Sequence, residues 1–127
     1  MEFGKLFRVE PGRRVRLSDI DPNHHGLHES EDKARDDLEH YKSRIAALQR
    51  NLYGEGACSL LIILQGMDSA GKDGTIWHVM SALDPLGVRV TDFKPPTPEE
   101  LNHDFLWRVH THAPGKGEIA IFNRSHY

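Results

Sequence analysis

The chain has 127 residues, 38% of them hydrophobic and 28% charged, with a formal net charge of −3 at neutral pH. That is enough chain for one domain with a modest core, and the mild acidity argues against bulk attraction to nucleic acid or to anionic lipid. The single cysteine, Cys58, excludes an internal disulfide and fits a reducing, cytoplasmic compartment. It opens the most apolar run of the chain, so it reads as a small buried core residue. Residues 1 to 16 carry charges throughout and do not read as a signal peptide. The longest apolar run, residues 60 to 64, is far shorter than a membrane span.

Residues 1 to 29 read as an irregular arm, punctuated by the turn signals Pro11-Gly12, Asp21-Pro22-Asn23 and Gly26. His24, His25 and His28 are close together, but the stretch is turn-rich and lacks supporting carboxylates, so it reads as a solvated loop. Residues 30 to 52 read as one long helix, capped by Ser30, with Glu31 and Asp32 at the positive end of its dipole. Leu38, Tyr41, Ile45, Leu48 and Leu52 form its apolar stripe, to pack on the core or on another subunit. Gly54 and Gly56 end it.

Residues 59 to 65 read as a buried strand, because Leu60 to Leu64 show no polar alternation. A glycine-rich loop leads into a helix over residues 72 to 83, stopped by Asp84-Pro85, and Gly87 turns the chain into a second strand over 88 to 93. Pro95, Pro96 and Pro98 stiffen the next connection. Thr97 and Glu100 have the spacing of a capping box with Pro98 at the first helical position. The helix they open carries Leu101, Phe105 and Val109 on one face and ends near His112. A third strand covers 118 to 122. This alternation predicts an α/β protein with a parallel sheet and flanking helices in three layers. Residues 60 to 64 are expected at the centre of the sheet, buried on both faces between the other two strands.

The chemistry concentrates in Gly66-Met67-Asp68-Ser69-Ala70-Gly71-Lys72-Asp73-Gly74, which contains the phosphate-loop spacing G-x-x-x-x-G-K. Glycines let successive backbone N–H groups converge on phosphate oxygens, and the following helix points its positive end at the same place. Gly66, Ser69, Ala70, Gly71, Lys72, Asp73 and Gly74 are therefore the candidate phosphate-binding residues, with Lys72 reaching the transferred group. Asp73 stands where a Ser or Thr commonly binds magnesium. Asp68 is the expected substitute, since a carboxylate beside a phosphate nest is repelled unless a cation such as Mg²⁺ bridges them. Asn123 ends the third strand, where a neighbouring strand faces the phosphate site. Arg124 follows it and can neutralise charge on a moving phosphoryl group. Asp68, Lys72 and Arg124 are the candidate catalytic residues.

Together these segments resemble the polyphosphate kinase type 2 family. The matching stretches are residues 64 to 74, 93 to 100, 104 to 108 and 117 to 127, in order and with close spacing. An Asp at position 73 is ordinary in that family. The resemblance implies a P-loop fold similar to thymidylate kinase, within an incomplete phosphotransferase domain over residues 30 to 127. It implies phosphoryl transfer between inorganic polyphosphate and a nucleoside mono- or diphosphate with Mg²⁺. Asp68 and Asn123 would hold the metal, and Lys72 and Arg124 the phosphates. Asn123 departs from the aspartate of many members and is the weaker magnesium ligand. The resemblance further implies a homo-oligomer in the complete protein. It also implies that residues 1 to 127 stop before the family's lid helix and are not a competent catalyst alone. Lys94, Trp107, Arg108 and Lys116 lie in the matching segments without a firm assignment. The rival readings are an ATP-dependent nucleotide or small-molecule kinase and a non-catalytic phosphate-binding protein.

Overall fold

The structure is a computed structural model that describes residues 2–24, 26 and 30–124. The chain forms two compact units, residues 1–37 and 38–127. His25 and His28 of the histidine-rich loop lie outside the described residues, as do residues 125 to 127 of the last matching segment.

The first unit contains the short helix α1 (Glu2–Leu6) and a 3-10 turn, Leu17–Asp19, where the sequence suggested only irregular chain. Residues 4 to 24 are all exposed. The Phe7 and His24 rings lie 6.0 Å apart.

Helix α2 (Glu31–Glu55) opens as expected, with the Lys33 N–H donating to Ser30 Oγ at 3.4 Å. It continues through Gly54 and stops at Gly56, whose φ of +57° closes the last turn as its N–H reaches the Leu52 carbonyl at 3.1 Å. Its inward stripe is rotated from the predicted one. Leu48 is 62% exposed and Tyr41 41%, whereas Gln49 is buried to 3%. The Gln49 amide donates to the Asp84 carbonyl at 3.2 Å and accepts from the Asp84 N–H at 3.1 Å. Both polar ends are thereby satisfied, which is what allows an amide inside the core. The clamp needs the glycine at 87, because a Cβ there would meet Gln49 Nε2 at 2.5 Å.

The sheet comprises β1 (Leu60–Leu64), β2 (Val88–Asp92) and β3 (Ile119–Asn123), in the order β1-β3-β2 and parallel throughout. Leu60 and Val88 both pair with Ile119, and Leu64 and Asp92 both pair with Asn123. The α/β fold and the parallel sheet are as expected; the strand order corrects the expectation. β3, not β1, occupies the centre. Ile119 and Ile121 join Leu83 on one face, packed by Ile45, Leu52, Ile62, Leu64, Ile76, Met80 and Val88. Ala120 and Phe122 join Phe93 and Val109 on the other. Strand alternation thus divides one apolar run between two cores. Among the described residues β1 pairs only with β3, and Leu60, Leu61 and Ile63 are 40–46% exposed. Both runs are apolar enough for burial; pairing on both sides decides which one receives it. Cys58, just before β1, is likewise exposed and not a core residue.

Helix α3 (Lys72–Met80) follows the phosphate loop and stops before the predicted end, the chain turning at Ser81. The single helix expected over 98 to 112 is two short ones, α4 (Pro98–Leu101) and α5 (Trp107–His110). Its start is as read: Thr97 and Glu100 form the capping box behind Pro98. Asp104 breaks it. Its carboxylate accepts from the Leu106 N–H at 3.0 Å, and its carbonyl from the Trp107 N–H at 3.0 Å. Such a local side-chain bond offers the backbone an alternative to the helical ladder. Leu101 and Phe105 are consequently exposed, and only Val109 of the predicted face packs inward.

Candidate functional site

The loop from β1 to α3 curls through two left-handed residues, Ser69 at φ 64° and Gly71 at φ 81°. This alternation is the backbone form that makes an anion-binding concavity. The Ala70 N–H reaches the Met67 carbonyl at 3.2 Å and the Thr75 N–H the Gly71 carbonyl at 2.9 Å, tying loop to helix. Gly66 is tightly packed: a Cβ there would stand 3.2 Å from that of Ala70, closer than an ordinary contact. The Lys72 ammonium donates to the carbonyls of Gly66 at 2.9 Å and Met67 at 2.7 Å. An ammonium has three protons, so this anchoring leaves one for a ligand.

β3 delivers the opposing groups. Asn123 Nδ2 donates to Asp73 Oδ1 at 2.7 Å, bridging the end of β3 to the first turn of α3. A carboxylate only accepts, so this bond fixes which way the amide points. The other end, Asn123 Oδ1, is buried and has no hydrogen-bond partner. Arg124 is held at φ 78°, unusual for a side-chain-bearing residue, and its N–H donates to the Leu64 carbonyl at 2.9 Å. Its guanidinium donates to Asp68 Oδ1 at 3.3 Å. The Asp68 side chain is 90% exposed and otherwise open to solvent.

These groups line one cleft of about 280 Å³. Its walls are Asp68, Ser69, Ala70, Gly71, Lys72, Asp73, Gly74, Asn123 and Arg124, together with Asp92. Of the predicted set, Gly66 alone stands outside the lining and acts through its carbonyl on Lys72. Asp92 was missed. It ends β2 opposite Asn123, and reading that strand through Phe93 shifted its end by one residue. The strand-end rule that found Asn123 would have found it at the right boundary. Three carboxylates and two cations face this cleft, so a polyanion entering it requires further positive charge.

A second groove of about 410 Å³ shares Arg124 and is lined also by Lys94, Glu100, His103, Phe105 and Arg108. Arg108 is its anchor, with its side chain 15% exposed. It donates to the Lys94 carbonyl at 2.8 Å, stands 3.4 Å from a Glu100 oxygen, and sits 5.0 Å from the Phe93 ring centre. The Thr97 backbone N–H holds the Glu100 carboxyl below its ordinary value; burial pushes it up by less, and the Arg108 charge adds a weaker downward pull. Trp107 stacks on His103 at 4.2 Å. Lys116 lines neither groove.

A parallel α/β sheet with a glycine-rich loop closing a strand onto a helix defines the P-loop class of phosphate-handling folds. Within that class, the profile of the family described as Polyphosphate kinase 2 matches residues 28–127, and the chain belongs to this family. It is 46% identical over 124 residues, 97% of its own length, to an AMP/ADP-polyphosphate phosphotransferase of Meiothermus ruber, and covers 46% of that protein. It is 42% identical to an ADP-polyphosphate phosphotransferase of Rhodopseudomonas palustris, over 97% of this chain and 43% of that one. The crystal structure of polyphosphate kinase 2 from Arthrobacter aurescens TC1 superposes with a TM-score of 0.88 at 40% identity, over 96% of this chain and 45% of the other. The chain thus spans about half the length of the curated relatives it matches.

Proposed function

We propose that the chain provides the phosphate-binding floor of a polyphosphate-dependent nucleotide phosphotransferase. The reaction is phosphoryl transfer between inorganic polyphosphate and a nucleoside mono- or diphosphate. The observation that carries this is the convergence of a left-handed phosphate loop, Lys72 and the Asn123-Arg124 strand end on one cleft. The names of the relatives, polyphosphate phosphotransferases, suggest the donor. In this reading Ser69 and Gly71 to Gly74 cradle phosphate oxygens with backbone N–H groups, the Ala70 N–H closes the loop on the Met67 carbonyl, and Gly66 anchors Lys72. Lys72 and Arg124 neutralise charge as it builds on the moving group. Asp68 holds Arg124 in position. The neighbouring groove offers Phe105 and His103, the latter backed by Trp107, beside Lys94 and Arg124, an aromatic and cationic lining that suits a nucleoside phosphate.

The residues present fit a magnesium ion. Asp68 is open to the cleft, and the unpartnered Asn123 Oδ1 is an oxygen that a cation or its bound water would satisfy. No group of three or more His, Cys, Asp or Glu ligands gathers among the described residues. That suits a metal which keeps several waters and takes one or two protein ligands plus substrate phosphates. When bound it would supply positive charge to the phosphate oxygens. Among the described residues no helix is long and apolar enough to cross a membrane; a cytoplasmic homo-oligomer completes the reading.

The test is ATP formation from ADP and polyphosphate with Mg²⁺ by this chain within a protein of its relatives' full length, beside a parallel assay of phosphoryl transfer from ATP. Transfer from ATP but not from polyphosphate would make this an ordinary nucleotide kinase. Phosphate binding with no turnover from either donor would make it a binding protein.

A further inference from the structure

One stretch of the first compact unit has a charge opposite to that of the whole. The chain carries a net −3, yet residues 5 to 16 hold Lys5, Arg8, Arg13, Arg14 and Arg16 against the one carboxylate of Glu10. Arg8, Arg13, Arg14 and Arg16 line a single cleft of about 670 Å³ within this unit, together with Asp19 and Asp21. Both carboxylates are held by their own turns. Asp19 Oδ1 accepts from Ser18 Oγ at 3.1 Å, and Asp21 Oδ1 from the Asn23 N–H at 2.9 Å. Arg8 stands 3.4 Å from Glu10. Among the described residues the side chains of Arg13, Arg14 and Arg16 make no hydrogen bond or ion pair. The backbone fixes their spacing. Gly12, at φ +79°, turns the chain, the Arg13 N–H closes that turn on the Glu10 carbonyl at 3.1 Å, and Arg16 leaves it extended at φ −107°, ψ 127°. In extended chain, residues two apart project to one side about 7 Å from each other. A run of unpaired guanidiniums repels itself, and a flexible polyanion relieves that repulsion.

We propose that this cleft is an auxiliary site that holds the chain of inorganic polyphosphate while the phosphate loop engages one part of it. The inference rests on the polyphosphate reading of the loop and deepens it. Polyphosphate offers only charge and oxygens, which is what three unpaired arginines recognise. Single-stranded nucleic acid also asks for free aromatic faces on which its bases stack. The two aromatic rings in the cleft, Phe7 and His24, are already against each other. A long polymer held at two places gains effective concentration at the second, and a short one cannot.

The experiment uses this chain within a protein of its relatives' full length, and compares the wild type with a variant combining Arg13→Ala, Arg14→Ala and Arg16→Ala, and with a second combining Arg13→Lys, Arg14→Lys and Arg16→Lys. Initial rates are measured with long-chain polyphosphate and with inorganic tripolyphosphate, and binding of long-chain polyphosphate is measured directly against salt. The alanine variant is expected to raise KM for the long chain about tenfold. Its kcat, and its KM for tripolyphosphate, should stay unchanged. The slope of log affinity on log salt should fall by about 2, and the lysine variant should recover most of the affinity. Unchanged KM for the long chain, or an equal rise for both phosphates, overturns the proposal. So does oligouridylate binding as tight as that of polyphosphate and equally lost in the alanine variant. If the wild type transfers nothing from polyphosphate, the functional reading fails, while the binding arm still decides whether the arginines hold the polymer. Where the triple variant does not fold, Arg14→Gln alone is read the same way, with a slope change of about 0.7.

Discussion

β1 and β3 are both five-residue strands, run parallel, and lead to the same cleft, β1 through the phosphate loop and β3 through Asn123, yet they live in different surroundings. Ile121 and Phe122 are fully buried, while Ile63 is 42% exposed. β3 therefore supports both cores and also presents Asn123 and Arg124. Among the described residues β1 contributes one face to the core and launches the phosphate loop. Composition makes a strand; its neighbours on both sides make it a centre.

Core substitutions should separate the two strands most strongly. Phe122→Ala is expected to destabilise by about 4 kcal/mol, because it removes a large side chain from a site walled by Phe93 and Ala120. Ile63→Ala in β1 is expected to cost about 1 kcal/mol, since much of that side chain already meets solvent. Urea unfolding of both variants measures the difference, and equal losses would mean that β1 is buried in the folded protein. Next in size is an effect on rate. Lys72→Ala should lower kcat/KM by about 3 kcal/mol, or some hundredfold, while the unfolding midpoint moves little. Retained activity would remove Lys72 from the transferring phosphate. Asn123→Ala tests the other strand end. It frees Asp73 and deletes the candidate metal oxygen, and is expected to lower Mg²⁺ affinity about tenfold, read from the Mg²⁺ dependence of the rate.

The smallest effect is a pH dependence outside both strands. Glu100 is held below its ordinary carboxyl value of 4.5 in the folded chain, first by the Thr97 N–H. A depressed folded value means that its stabilising contribution is complete above the unfolded value and is lost as pH falls through the folded one. Thermal unfolding followed below pH 4.5 should show a shallower acid loss in Glu100→Gln than in wild type. Parallel acid limbs would show that the capping box does not respond to the charge.

Much of the site was legible because its logic is local. The spacing from Gly66 to Gly74 fixes a loop geometry, and a strand end next to it fixes where Asn123 and Arg124 point. What escaped was relational. No run of five apolar residues says how many neighbours it has, so β1 and β3 exchanged places. Gln49 reads as a surface residue until Asp84 supplies both of its partners. Asp104 reads as one more helical residue until its carboxylate takes the Leu106 N–H. Arg108 has no firm assignment in the sequence because its environment depends on Phe93 and Glu100, which come from separate segments.

The order β1-β3-β2 also dictates a timetable. Among the described residues, neither β1 nor β2 bonds to the other, and both wait for Ile119 to Asn123. During synthesis the ribosome releases Leu60 to Leu64 first and their partner last, so the most apolar run of the chain is born without a neighbour. Nearly every sheet contact is distant in sequence, which slows folding and keeps the nascent run available to chaperones, or to another nascent copy, until the third strand emerges.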